Sequence, residues 1–141
     1  MATIQQALWY HVTNTAAVQA LISSRMYPAG DVPQGTALPY VTYFRVEQEH
    51  HRHYGGGSGF NRAVFSIDCY AATAKEADAV YDAVKDALDN YTGNMGEAGA
   101  TVDVRGAFLE TDGDSYNEPT DGSQRGTAVV GSVYVVWYVE Q

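Results

Sequence analysis

The chain has 141 residues, 45% of them hydrophobic, and a formal net charge of −9. That length suits one domain, 1–141, with a core of its own. With 8 Lys and Arg against 17 Asp and Glu, it excludes a broad electrostatic footprint on nucleic acid, although a local basic loop stays open. No apolar run approaches the roughly 18 residues of a membrane helix, so no membrane partner is expected. The opening residues lack the basic and apolar regions of a secretory leader. The single Cys69 has no intrachain disulfide partner, which points to a cytosolic origin. Eleven tyrosines stand against four phenylalanines. A tyrosine joins an apolar body to a polar tip, so it suits half-buried sheet faces and subunit interfaces.

Ile4, Ala7, Leu8 and Val12 form one apolar helical stripe, which predicts a helix over 3–12. Thr13-Asn14-Thr15 interrupts it with residues that cap helix N-termini. Val18, Leu21 and Ile22 predict a short second helix over 15–23. Arg25-Met26-Tyr27-Pro28 follows, and Pro28, Gly30, Pro33, Gly35 and Pro39 break every regular element before position 40. From Tyr40 to Val46 the chain alternates Tyr40/Thr42/Phe44/Val46 with Val41/Tyr43/Arg45, the period of a strand. The polar residues from Glu47 are able to extend that strand. The glycine-rich half of the next stretch, Gly55 to Gly59, is expected to hold a strand poorly and to make a flexible hairpin tip at about 48–60.

Phe60 to Tyr70 reads as the returning strand of a long β-hairpin, with Ala63, Phe65, Ile67 and Cys69 as its core face and Val64, Ser66, Asp68 and Tyr70 opposite. Thr73-Ala74-Lys75-Glu76 has the form of a capping box. Ala77, Val80, Tyr81, Val84, Leu88 and Tyr91 then mark the clearest helix, Thr73–Tyr91, with Asp78, Asp82, Lys85, Asp86 and Asp89 on its wet side. Gly93, Gly96 and Gly99 end it. Thr101 to Leu109 alternates as a strand, Thr111 to Gly126 reads as an acidic loop, and Thr127 to Glu140 is a long valine-rich strand. The order predicts an α+β fold: an antiparallel or mixed sheet of about four strands, meander-like, with a long hairpin. One face is packed by the N-terminal helix pair and the central amphipathic helix.

Glu47, Glu49, His51 and His53 share one parity and are the candidate metal ligands; the plainer reading is a hydrophilic hairpin tip. Gly55 to Gly59 lacks the Lys-Ser/Thr of a phosphate loop. Asp112-Gly113-Asp114-Ser115 misses the spacing of a calcium loop. Ser66, Ser115, Cys69 and His11 form no nucleophile–base pattern, and Asp68 has no partner carboxylate at a defined offset. No catalytic residue and no cofactor is expected, and Cys69 reads as a small buried hydrophobe.

Arg25-Met26-Tyr27-Pro28, Leu38-Pro39-Tyr40-Val41-Thr42-Tyr43 and Ser66-Ile67-Asp68-Cys69-Tyr70-Ala71 carry a resemblance, in this order and spacing over nearly the whole chain. Together with the Thr73–Tyr91 helix and the final aromatic-valine strand preceded by Arg125-Gly126, they resemble the tail-completion proteins of long-tailed bacteriophages, also described as tail-terminator or tail-to-head joining proteins. The His-rich Gln48–Tyr54 tip and the long Thr111–Gln124 loop depart from that pattern.

The resemblance implies a structural virion protein at the tail–head interface, made in the bacterial host cytoplasm. It would assemble with itself as a hexameric ring on the tail tube protein, stop tube growth and dock the head-completion connector. Genomic DNA would pass through without sequence-specific binding. Tyr40, Tyr43, Arg45, Arg52, Tyr54, Arg62, Tyr134 and Tyr138 are the expected ring contacts. The alternative is a small metal- or ligand-binding α+β module at the His-rich tip, and a weaker one is a hydrolase using Asp68 or Cys69. Alanine at His51 and His53 separates the first two by bound metal and retained assembly.

Overall fold

A threonine stands before each helix, and two of the three cap it with their side chains. Thr3 accepts from the Gln6 amide and the Gln6 side chain accepts from the Thr3 amide, both at 3.1 Å, a reciprocal cap that starts α1 (Ile4–Thr13). Thr15 precedes α2 (Ala16–Ile22), with its hydroxyl donating back to the His11 carbonyl. Thr73 accepts from the Glu76 amide at 3.2 Å and opens α3 (Ala74–Leu88). The computed structural model describes residues 3–53, 56–117 and 127–139. The remaining elements are β1 (Met26–Pro28), β2 (Tyr40–His53), β3 (Gly56–Ala71), β4 (Tyr91–Glu97), β5 (Ala100–Asn117) and β6 (Thr127–Val139).

The fold is α+β, as the sequence predicts, but the sheet has six strands in the order β1-β2-β3-β6-β5-β4. It is mixed: β1 runs parallel to β2 and the other neighbours are antiparallel. The expected four-strand meander is corrected at two points. The central pair is β3 and β6, with α3 and the β4–β5 hairpin inserted between them in sequence. The last strand, apolar on both faces, belongs in the middle of a sheet rather than at its edge. The two extra strands are short edges. Met26–Pro28 pairs with Val41 to Tyr43, its proline at the strand end where a missing donor is tolerated. Tyr91–Glu97 forms the other edge, with Gly93 and Gly96 at φ 127° and 121° and Met95 fully buried.

Two segments expected as loops are strand instead. Thr111 to Asn117 pairs with Val133 to Thr127, and Gly56 and Gly57 pair with His53 and Arg52. In both cases an adjacent strand offers a continuous row of hydrogen-bond partners, and that outweighs a composition poor in strand formers. The Arg25–Pro28 motif proves to be a clasp between α2 and the sheet. Arg25 Nε donates to the Pro39 carbonyl (3.0 Å), the Val41 amide to the Arg25 carbonyl (2.9 Å), and Trp9 Nε1 to the Met26 carbonyl (2.8 Å).

The three helices share one face of the sheet. Ile4, Leu8 and Val12 of α1, Val18 and Ile22 of α2, and Val80, Val84 and Leu88 of α3 pack into one cluster with Ala63, Phe65, Ile67 and Cys69 of β3. The parity predicted for β3 is therefore observed. Tyr134 and Val136 of β6 and Val102 and Val104 of β5 complete the core. Among the described residues no helix lies on the opposite face.

Candidate assembly surface

The helix-free face is built by strand parity. Tyr40, Thr42 and Phe44 of β2 stand opposite Tyr70, Asp68 and Ser66 of β3, and these in turn face Val129, Gly131 and Val133 of β6. Phe108 and Gly113 of β5 pair with Val135 and Gly131. Phe44 is 46% exposed and Phe108 45% exposed, while Val46 sits at a β2 bulge with 55% of its surface in solvent. Large apolar side chains this open on one sheet face mark a contact surface.

Charges on this face are mostly paired within the chain. Arg62 Nη1 lies 3.1 Å from Glu47 and 3.2 Å from Glu49, and its guanidinium sits over the Trp137 ring at 5.7 Å. The cluster ties β2, β3 and β6 together. Arg105 holds Asp103 at 3.0 Å. Tyr40 stacks on Tyr70 with ring centres 4.9 Å apart and 15° between planes. Burial, then the Tyr70 hydroxyl beside it, pushes the Tyr40 phenol upward.

Asp68 is the exception. It is half-buried, has no hydrogen-bond or ionic partner among the described residues, and burial holds its carboxyl above the usual carboxylate range. It stands over Gly131, where an added Cβ would lie 3.0 Å from its Oδ1. With Ser66, Thr111, Asp112, Gly113, Ser132 and Val133 it lines a pocket of about 250 Å³. Its chain neighbour Cys69 points the other way and is fully buried; burial, then the Asp68 charge, pushes that thiol up to about 12.

The expected contact residues divide. Tyr40 and Arg62 lie on the helix-free face. Arg45 is exposed on the helix-bearing side, 3.2 Å from Gln48 Oε1. Tyr43 is half-buried against the core beside Trp9 and Tyr10. Tyr134 and Tyr138 are corrected: they are 0% and 3% exposed, packed under the helices, and out of a neighbour's reach. Tyr138 instead takes a hydrogen bond from Gln48 Nε2 at 2.8 Å.

Tyr54 and the side chains of Arg52, His51 and His53 lie outside the described residues. Of the metal candidates, Glu47 and Glu49 are described, and both turn to Arg62. His11 lies 2.7 Å from the Ala87 carbonyl and against the Tyr91 ring, a tie between α1 and α3 rather than a base.

Phe44, Phe108 and Trp137 were not singled out from the sequence. Phe44 was findable, since it shares parity with Tyr40 in the predicted strand. Phe108 was not: a bulge between Val104 and Gly106 inverts the phase of β5, and the Phe108 ring then covers Gly106, where a Cβ would come within 2.8 Å.

An α+β subunit whose sheet is covered by helices on one side and presents aromatic, valine and paired charged side chains on the other has the anatomy of an assembly component. The family model described as tail completion protein gp17 matches residues 6–131, and the chain belongs to this family. It is a structural tail protein of a phage-type virion, as the Arg25–Pro28 and Leu38–Tyr43 motifs imply.

No curated protein matches the chain by sequence. Among solved structures it is similar to a chain of the virion of native gene transfer agent (GTA) particle. The TM-score is 0.71 at 20% identity, over 98% of this chain and 95% of that one, a likeness of fold. A second solved chain, at 17% identity and a TM-score of 0.47 over 98% of this chain and 96% of its own, is too different in shape to add to this.

Proposed function

We propose that this protein closes tail assembly: several copies, six in the reading carried by the family resemblance, form a ring that caps the tail tube, ends its growth and joins the tail to the head. The observation that carries this is the helix-free sheet face with Phe44 and Phe108 exposed, in a chain of the tail completion family. A ring closes through one patch meeting a different patch on the next copy. This chain offers two unlike surfaces, the sheet face with Tyr40, Phe44 and Arg62 and the helix-bearing side with Arg45. Arg52 and Tyr54 join them by the resemblance. The tail tube protein and the head connector are the other partners. A net charge of −9 suits a channel that genomic DNA crosses, since few phosphates are neutralised and none held. Electron microscopy of lysates lacking the protein tests the reading. Tails of uncontrolled length, or tails separated from filled heads, are expected; normal tails on filled heads contradict it.

A further inference from the structure

Asp68 is an unusual carboxylate for a sheet face. Glu47 and Glu49 on the same face take Arg62 and Asp103 takes Arg105, while Asp112, which lines the same pocket, accepts from the Tyr81 hydroxyl. Asp68 has no such partner among the described residues, though it is half-buried at the sheet centre, where removal from water disfavours the charged form. The space around it is built rather than incidental. Gly131 and Gly113 face each other on β6 and β5, and their missing side chains open the pocket beside the carboxylate. A Cβ at Gly131 would crowd Asp68 Oδ1 at 3.0 Å. At about 250 Å³ the pocket falls below the roughly 300–1,000 Å³ of small-molecule sites and suits the end of one long side chain. Its lining is largely polar, Ser66, Thr111, Asp112 and Ser132 beside Val133, and the exposed Phe44 and Phe108 stand on the same sheet face outside it. A pocket holding the Asp68 and Asp112 carboxylates, on a face that also exposes Phe44 and Phe108, suits a cationic side chain from a partner surface.

Among the described residues, the exposed cations that no carboxylate holds are Arg45 and Lys75. Both stand on the helix-bearing side, Arg45 opposite the buried Phe65 and Lys75 in the first turn of α3. They cannot reach Asp68 of their own subunit across the sheet. A neighbouring copy can bring them there. We propose that Asp68 is a socket that receives Arg45 or Lys75 of the next copy, so that the sheet face of one subunit packs against the helix-bearing side of its neighbour. The inference rests on the ring reading above and adds the direction of contact. It makes the interface heterologous, the condition for ring closure.

The test is a charge-reversal series on the full chain, with association measured by light scattering and folding checked by circular dichroism. Asp68→Asn keeps the shape and removes the charge. It is expected to fold and to weaken association on the order of tenfold or more. Asp68→Lys is expected to abolish rings, and Arg45→Asp or Lys75→Asp in that background to restore them. Undiminished association of Asp68→Asn overturns the socket, as does a loss in Asp68→Lys that neither reversal repairs. The wild-type chain judges the ring reading separately: rings in wild type with no effect at Asp68 remove only the socket, whereas a wild type that forms none, alone or on tail tubes, removes both.

Discussion

The Tyr81 hydroxyl on α3 donates a hydrogen bond to the Asp112 carboxylate on β5, tying the central helix to a stretch whose composition reads as loop. Because that bond is partly open to water, Tyr81→Phe is expected to cost about 1 kcal/mol in urea denaturation. Tyr134 should behave differently. Its hydroxyl is buried without a partner among the described residues, and its polar neighbour Ser132 donates to the Ile67 carbonyl. Removing an unsatisfied buried hydroxyl is neutral or stabilising, so Tyr134→Phe should leave the urea midpoint unchanged or raise it.

Two phenylalanines on opposite faces separate folding from assembly. Phe65 is fully buried between the sheet and the helices, and Phe65→Ala should cost roughly 3–5 kcal/mol of stability. Phe44 is 46% exposed on the helix-free face. Phe44→Ala should stay within about 0.5 kcal/mol in denaturation while lowering self-association in light scattering. An equal loss of stability in both variants would contradict the division of the faces.

Cys69 is expected to be inert in the folded chain. An unfolded thiol titrates near roughly 8.5, whereas burial pushes this one up to about 12. At pH 8 the native protein should not react with an aromatic disulfide reagent over minutes, and the urea-unfolded chain should release one equivalent at once. Fast labelling of the native chain would show that β3 opens readily.

Asp68 should make stability fall as pH rises. Its folded carboxyl lies above the ordinary value, so the native state holds the proton more tightly than the unfolded chain does. The penalty is complete above the folded value and disappears as pH falls below the ordinary one. In dilute, unassociated protein, Asp68→Asn should therefore melt higher than wild type at pH 7, with the gap closed by about pH 3. A lower melting temperature for the variant at pH 7 would contradict this.

The helices and the β3 core face were legible because each buries a single stripe: Ile4, Leu8 and Val12 at helical spacing, Ala63 to Cys69 at strand spacing. The β1 and β4 edges were not, since Pro28, Gly93 and Gly96 are breakers by type and become strand only through the neighbours that pair with them. Tyr134 and Tyr138 were misplaced for a related reason. In β6 both faces are apolar, so alternation carries no sign of which side a tyrosine takes. The Asp68 pocket escaped notice because it depends on register: Asp68, Gly131 and Gly113 are far apart in sequence and meet only across three paired strands.

The central claim is that this subunit is made to join copies of itself. Native mass measurement of the purified chain, alone and mixed with tail tubes, tests it most directly. A closed oligomer, formed in solution or on contact with the tubes, is the expected result. A chain that remains a single subunit at high concentration and leaves the tubes unbound would contradict it.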